Sequence, residues 1–171
     1  GNLGLAYAAL GQVQQAMDYY EQRLAIARDI GDRRGEGQTL NNLGNAYYLL
    51  GQVQQAIACY EQDLAIAREL GDRRGEGTAL GNMGIAYQNL GEIEQAMDYY
   101  EQALTIARAI GDRAGEATRS WNLGDLYEKQ GELARAAALM QVCVDFERDI
   151  GHADAEKDAE RVEEIRQRLG G

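Results

Sequence analysis

Asparagine recurs at positions 2, 42, 82 and 122, each time one residue before an apolar side chain and two before a glycine. An asparagine amide carries a donor and an acceptor, the complement of a peptide unit. A row of them at fixed spacing can hold an extended polypeptide by its main chain without demanding particular side chains. Gln38, Asn41, Asn45 and Asn89 extend the set. Arg34 and Arg74 bring planar guanidinium forks suited to carboxylates, and Trp121, beside Asn122, offers an aromatic anchor at one end. Each has a plainer alternative. Surface Asn is solvated and is copied by repeat duplication; Arg34 and Arg74 have Asp32, Asp72, Glu36 and Glu76 within local reach; Trp121 packs against a neighbouring helix.

Other chemistries find no set of residues to carry them. His152 is the only histidine, and no Ser/His/Asp or Cys/His constellation forms around it. Cys59 and Cys143 lie far apart without CxxC spacing, which suits a reducing, cytoplasmic compartment and small apolar fillers better than a disulfide framework. "GDRRGEG" lacks the GxxxxGK[ST] spacing of a phosphate-binding loop. The sequence therefore points to no enzyme, no cofactor and no metal. A formal net charge of −11 disfavours nucleic acid and anionic membranes. No apolar run approaches the ~20 residues of a membrane span.

The elements that must position these residues are helices. The 171 residues include no Pro, one Phe and one Trp but ten Tyr, a composition that favours long helices over sheets. The chain repeats itself at a spacing of 40: units 1–37, 38–77, 78–117 and 118–157, followed by a final helix over 158–171. A period of this size signals a stacked array in which each unit contacts its neighbours. Within the second unit, Leu40, Leu43, Tyr47 and Leu50 mark one helical face. A second helix from about Gln54 to Leu70 carries Ala56, Ile57, Tyr60, Leu64 and Ala67 as its inner stripe. Gly71 and Asp72 are expected to end that helix and to cap the next.

The set Leu43, Gly44, Tyr47, Gly51, Ala56 and Tyr60 resembles the tetratricopeptide repeat signature. It returns as Leu3, Gly4, Tyr7, Gly11, Ala16 and Tyr20, and as Met83, Gly84, Tyr87, Gly91, Ala96 and Tyr100. The fourth unit keeps Leu123, Gly124, Tyr127, Gly131 and Ala136 with Met140 in the last place. The chain departs from the common form in its longer period and in Arg28, Arg68, Arg108 and Arg148, which stand where the family usually has Pro. Arg23 and Asp63 occupy a position where the family has a small residue. In its longer period and in the four arginines it is similar to the subclass found in spindle-orientation adaptors and in the C-terminal arrays of bacterial signalling ATPases. The resemblance implies an all-α fold, a right-handed superhelical solenoid of antiparallel helix pairs. It also implies a protein or peptide partner bound in the concave groove. The lysines of the family's carboxylate-clamp group are missing from the matching slots, except for Lys129.

Gly in a helix interior is worse than Ala by about 1 kcal/mol, so Gly4, Gly44, Gly84 and Gly124 imply close approach of a partner helix. Tyr20, Tyr60 and Tyr100 are the expected visitors. At ~100° per residue, with Gln38 at zero, Asn42, Asn45, Asn41 and Arg34 fall at about 40°, 340°, 300° and 320°, opposite Leu40, Leu43 and Tyr47. Asn2 and Leu5, then Arg74, Thr78, Asn82, Ile85 and Asn89, then Trp121, Asn122, Asp125 and Lys129, are their equivalents. Ala155, Ala159, Val162, Ile165 and Leu169 form the stripe of the last helix, where Glu163 and Glu164 replace the Leu–Gly pair and leave a C-terminal cap. The chain opens on Gly1 inside a repeat, so it is expected to be part of something longer. Its uncapped first edge would then continue into upstream repeats or be covered by a second copy, giving a homo-oligomer. The readings that follow are a peptide-binding scaffold, a sensor array of a larger signalling ATPase or transcription regulator, and a self-assembly module.

Overall fold

A computed structural model describes residues 12–170. Asn2, Leu5, the first Leu–Gly–Tyr set and the expected uncapped edge lie outside the described residues. Among the described residues there are eight helices and no strand: α1 (Val13–Asp29), α2 (Arg33–Leu49), α3 (Val53–Leu70), α4 (Arg73–Asn89), α5 (Ile93–Ile110), α6 (Arg113–Lys129), α7 (Leu133–Ile150) and α8 (Ala155–Gly170). The chain divides into two compact units, residues 1–92 and 93–171. In the first, α1 packs on α2, α2 on α3 and α3 on α4; in the second, α5 packs on α6, α6 on α7 and α7 on α8. This is the all-α, helix-pair architecture of a repeat solenoid.

The turns follow from local chemistry. Gly71 sits at φ 64°, in the left-handed region that L side chains rarely adopt, and six other glycines at a spacing of 20 share it. Its N–H donates to the Arg68 carbonyl at 3.2 Å, and the Asp72 N–H to the Ala67 carbonyl at 2.8 Å. These two bonds satisfy carbonyls that the helix end leaves open. The Asp72 carboxylate then accepts from the Gly75 N–H at 2.9 Å and caps α4. Asp32 and Asp112 cap α2 and α6 in the same way.

The arginines at the family's Pro position stitch each such turn. Arg28, Arg68, Arg108 and Arg148 donate across it to Glu36, Glu76, Glu116 and Glu156 at 2.8, 2.9, 2.8 and 3.1 Å. A cation in the last turn of a helix also complements the helix dipole. Glu36 and Glu76 are buried, and each accepts a second guanidinium, from Arg33 and Arg73. The Arg28 hydrogen bond outweighs burial and lowers the Glu36 pKa. Arg33 also bridges to Glu69 on the following helix, and Arg113 to Asp149.

Gly44 meets the expectation of close approach. A Cβ there would stand 2.5 Å from Tyr60 Cε1, and the ring is 2 % exposed. At Gly124 the visitor is Met140, with the Ala136 carbonyl beside it. The stripe of α3 is buried as expected, but so are Val53, Cys59, Asp63 and Ile66. The reason is that α3 lies between α2 and α4 and is covered on two faces. Leu50 is exposed because it follows the last residue of α2, and Leu169 is exposed in the last turn of α8.

Candidate peptide-binding groove

Three helices of the first unit, α2, α3 and α4, line an open pocket of about 360 Å³. Arg34, Gln38 and Asn41 reach it from α2, Asp63 from α3, and Arg74 and Thr78 from α4. Each position is set by a helix turn: Arg34, Gln38 and Asn41 are three or four residues apart and so share a face.

The amides beside this pocket form a chain. Asn82 Nδ2 on α4 donates to Asn41 Oδ1 on α2 at 2.8 Å and more weakly to Asn45 Oδ1 at 3.4 Å. The Tyr60 hydroxyl on α3 donates to the same Asn45 oxygen at 2.8 Å. The ladder is therefore partly cross-linked, and Asn41, Asn42 and Asn82 are half-buried where the sequence alone had them facing straight outward. The bonds fix the amide orientations. They leave the Asn41 N–H₂ and the Asn82 side-chain oxygen outside the pair, a donor and an acceptor in the complement of a peptide unit. Asn42 stands at the position equivalent to Asn82, one unit earlier.

Arg34 has an ion pair with Asp72 at 3.5 Å, across the turn that starts α4. Arg74 and Asn89 are exposed, Asn89 as the final residue of α4. Asp63 is the residue that the spacing of amides and arginines did not bring to the groove. It is buried, yet it lines the pocket, and a Cβ on Gly37 would stand 2.9 Å from its Oδ1. Its appearance at a position where related repeats carry a small residue was the available signal. Burial, with the nearby Asp72 carboxylate, pushes its carboxyl up to about 7.

In the second unit, Trp121 stacks under the Arg161 guanidinium at 5.4 Å and joins the core between α7 and α8. Arg161 continues to Asp125 and Glu128 at 2.7 and 3.0 Å, and Lys129 meets Asp125 at 2.6 Å. Burial opposes ionisation of Asp125, but the hydrogen bonds from Lys129 and Arg161 prevail and lower its pKa. Asp125 is the counterpart of Asn45, so α8 occupies that ladder position with its own side chains. Asn122 is half-buried beside Trp121. The structure thus brings Arg34, Gln38, Asn41, Asn45, Arg74 and Asn82 together, and holds Trp121 and Asn122 in a separate unit. Cys59 and Cys143 are buried thiols, raised by burial to about 11 and about 12. His152 is exposed, with the Asp154 N–H donating to its Nδ1.

The family model described as "Tetratricopeptide repeat" matches residues 1–69, 35–109 and 75–148, most of the chain. This chain belongs to the tetratricopeptide repeat family. Among curated protein sequences, none matches it. The tetratricopeptide architecture is similar to several solved structures at low identity. Aspartyl phosphate phosphatase F from Bacillus subtilis superposes with a TM-score of 0.87 at 16% identity, over 97% of this chain and 46% of that one. A STAND (signal transduction ATPase with numerous domains) protein with a tetratricopeptide repeat sensor, from Pyrococcus horikoshii, gives 0.79 at 21% identity, over 98% and 28%. BtubC (BKLC) from P. vanneervenii gives 0.71 at 22% identity, over 99% and 79%. At these identities the likeness establishes the fold. Tetratricopeptide repeats are in general protein-interaction scaffolds, and no described helix is long and apolar enough to cross a membrane.

Proposed function

We propose that this tetratricopeptide array is a non-catalytic interaction module that holds an extended segment of a partner protein along α2 and α4. Asn41 and Asn82 engage the segment's main chain, with Asn42 repeating the contact one unit earlier, and Arg34 and Arg74 pair with its carboxylates. One observation carries the reading: the 2.8 Å bond between Asn82 and Asn41 orients both amides and uses only one group of each, beside a pocket that Asn41 lines. In the second unit, α8 covers Trp121 and sets Arg161 against Asp125, the counterpart of Asn45. The setting is cytoplasmic, in keeping with two buried free thiols.

Selection of a displayed random dodecamer library on the purified array tests this. Chemical-shift mapping of a selected peptide should place it on Gln38, Asn41, Arg74 and Asn82. Peptides that map to the outer faces, or failure to select any, would overturn the proposal. A second reading has support from the STAND protein, whose structure carries a tetratricopeptide repeat sensor. In that reading the same groove senses a partner on behalf of a larger signalling protein.

A further inference from the structure

Asp63 departs from its repeat equivalents in a way the ladder does not explain. The equivalent residues are Arg23, Ala103 and Cys143. Arg23 is charged and satisfied: its Nε donates to the Thr39 hydroxyl at 3.0 Å. Ala103 and Cys143 are small buried fillers. Asp63 is a carboxylate, 7 % exposed, and among the described residues no donor bonds to it and no cation pairs with it. A buried carboxylate without a partner is costly, and here the charge of Asp72, another acid, adds to the effect of burial. The structure nonetheless makes room for it, since Gly37 has no side chain to occupy the space of its Oδ1. The carboxylate forms part of the wall of the same 360 Å³ pocket that opens beside Asn41 and Gln38.

We infer that this pocket receives a lysine or arginine side chain from the partner segment, with Asp63 as its counter-ion and Gln38 and Asn41 holding the adjoining main chain. The inference rests on the groove reading above and adds a sequence requirement to it. Charge complementarity supports the choice of occupant: the chain carries a formal net charge of −11, and a basic segment is drawn to it. Arg34 and Arg74 at the rim then favour an acidic residue beside the basic one, so that the recognised motif is of mixed charge. An incoming cation supplies the partner that the fold withholds, and a charge-assisted hydrogen bond forms in a partly desolvated site.

The test compares the same displayed dodecamer library on the wild-type array and on Asp63→Asn and Asp63→Ala. Wild type should enrich Lys or Arg at one fixed position, and both variants should lose that preference. Replacing the enriched Lys by norleucine in a synthetic peptide should weaken binding to wild type by about tenfold to a hundredfold, the range expected for a hydrogen bond to a charged group. Against Asp63→Asn the same replacement should change affinity by less than about threefold. The norleucine comparison on wild type requires no protein variant, so it stands even if a variant folds poorly. Selected peptides that bind the groove but carry no basic residue would overturn this inference and leave the groove reading intact. A basic preference that persists in Asp63→Asn would also overturn it, as general attraction to an acidic surface. Free lysine binding as tightly as the peptide would overturn the assignment to a polypeptide segment. Failure to select any peptide would overturn both readings.

Discussion

Replacing Gly44 by Ala sets two effects of known sign against each other. Helix propensity alone favours Ala at an interior position by about 1 kcal/mol. Packing opposes it: the new methyl would stand 2.5 Å from Tyr60 Cε1 and 2.8 Å from Cδ1, whereas carbon atoms rest about 3.5–4 Å apart. The ring must retreat by roughly 1 Å. It has little freedom to do so, because it is 2 % exposed and its hydroxyl is tied to Asn45 at 2.8 Å. Overpacking of this kind destabilises by about 1–3 kcal/mol, so the net effect is a loss of about 0–2 kcal/mol. That loss lowers the melting temperature by up to about 8 °C in a domain of this size. Urea denaturation followed by circular dichroism reads it directly. A double-mutant cycle with Tyr60→Ala isolates the contact: in that background Gly44→Ala should become stabilising by about 1 kcal/mol. If Gly44→Ala alone raised stability by the full propensity gain, the close-approach account of the repeat glycines would be wrong.

Other perturbations address the groove and the caps. Asp63 holds its proton up to about 7 in the folded chain but releases it near 3.8 when unfolded. Stability should therefore fall as pH rises between these values and level off above them. Asp63→Asn should remove that slope and stabilise the array at pH 8 by about 1–3 kcal/mol, since solvent screening at the open pocket reduces the full effect. The other charged groups facing the site are Arg34 on α2 and Asp72 and Arg74 at the start of α4, and an Asp63→Asn variant less stable than wild type at pH 8 would refute the assignment. Asp112→Ala removes the bond to the Gly115 N–H at the start of α6 and should cost about 1 kcal/mol in thermal melts, with Asp112→Asn recovering most of it; equal losses in both would point away from capping. Arg161→Ala uncovers Trp121, the only tryptophan, and should shift its fluorescence emission to longer wavelength; an unchanged spectrum would contradict the stacking.

Much of this organisation was readable in the residues because it depends on local chemistry. Gly71 and Asp72 close one helix and cap the next through bonds within a few residues, so their types alone predict the turn. The pairing of Gly44 with Tyr60 also followed from spacing, since an unfavourable glycine at a fixed place needs a large neighbour to justify it. The arginines at the usual Pro position were visible as a departure, but their role required knowing that the chain folds back to bring Glu36 beside Arg28. Contacts between units were less legible. Asn82 reaches Asn41 from 41 residues away, and helical-wheel angles place both outward without showing that adjacent helices bring them into contact. Trp121 has its cation 40 positions on, at Arg161. Asp63 was conspicuous as a charge in place of a small side chain, but its lack of a partner is a property of the surrounding packing.

The central claim is that the oriented amides of Asn41 and Asn82 hold a partner's main chain. Isothermal titration of a library-selected peptide into the wild-type array and into Asn41→Ala/Asn82→Ala tests it most directly. Two lost hydrogen bonds to the peptide should weaken binding by roughly tenfold or more, with the helical circular dichroism spectrum unchanged. Equal affinity for both proteins would contradict the claim.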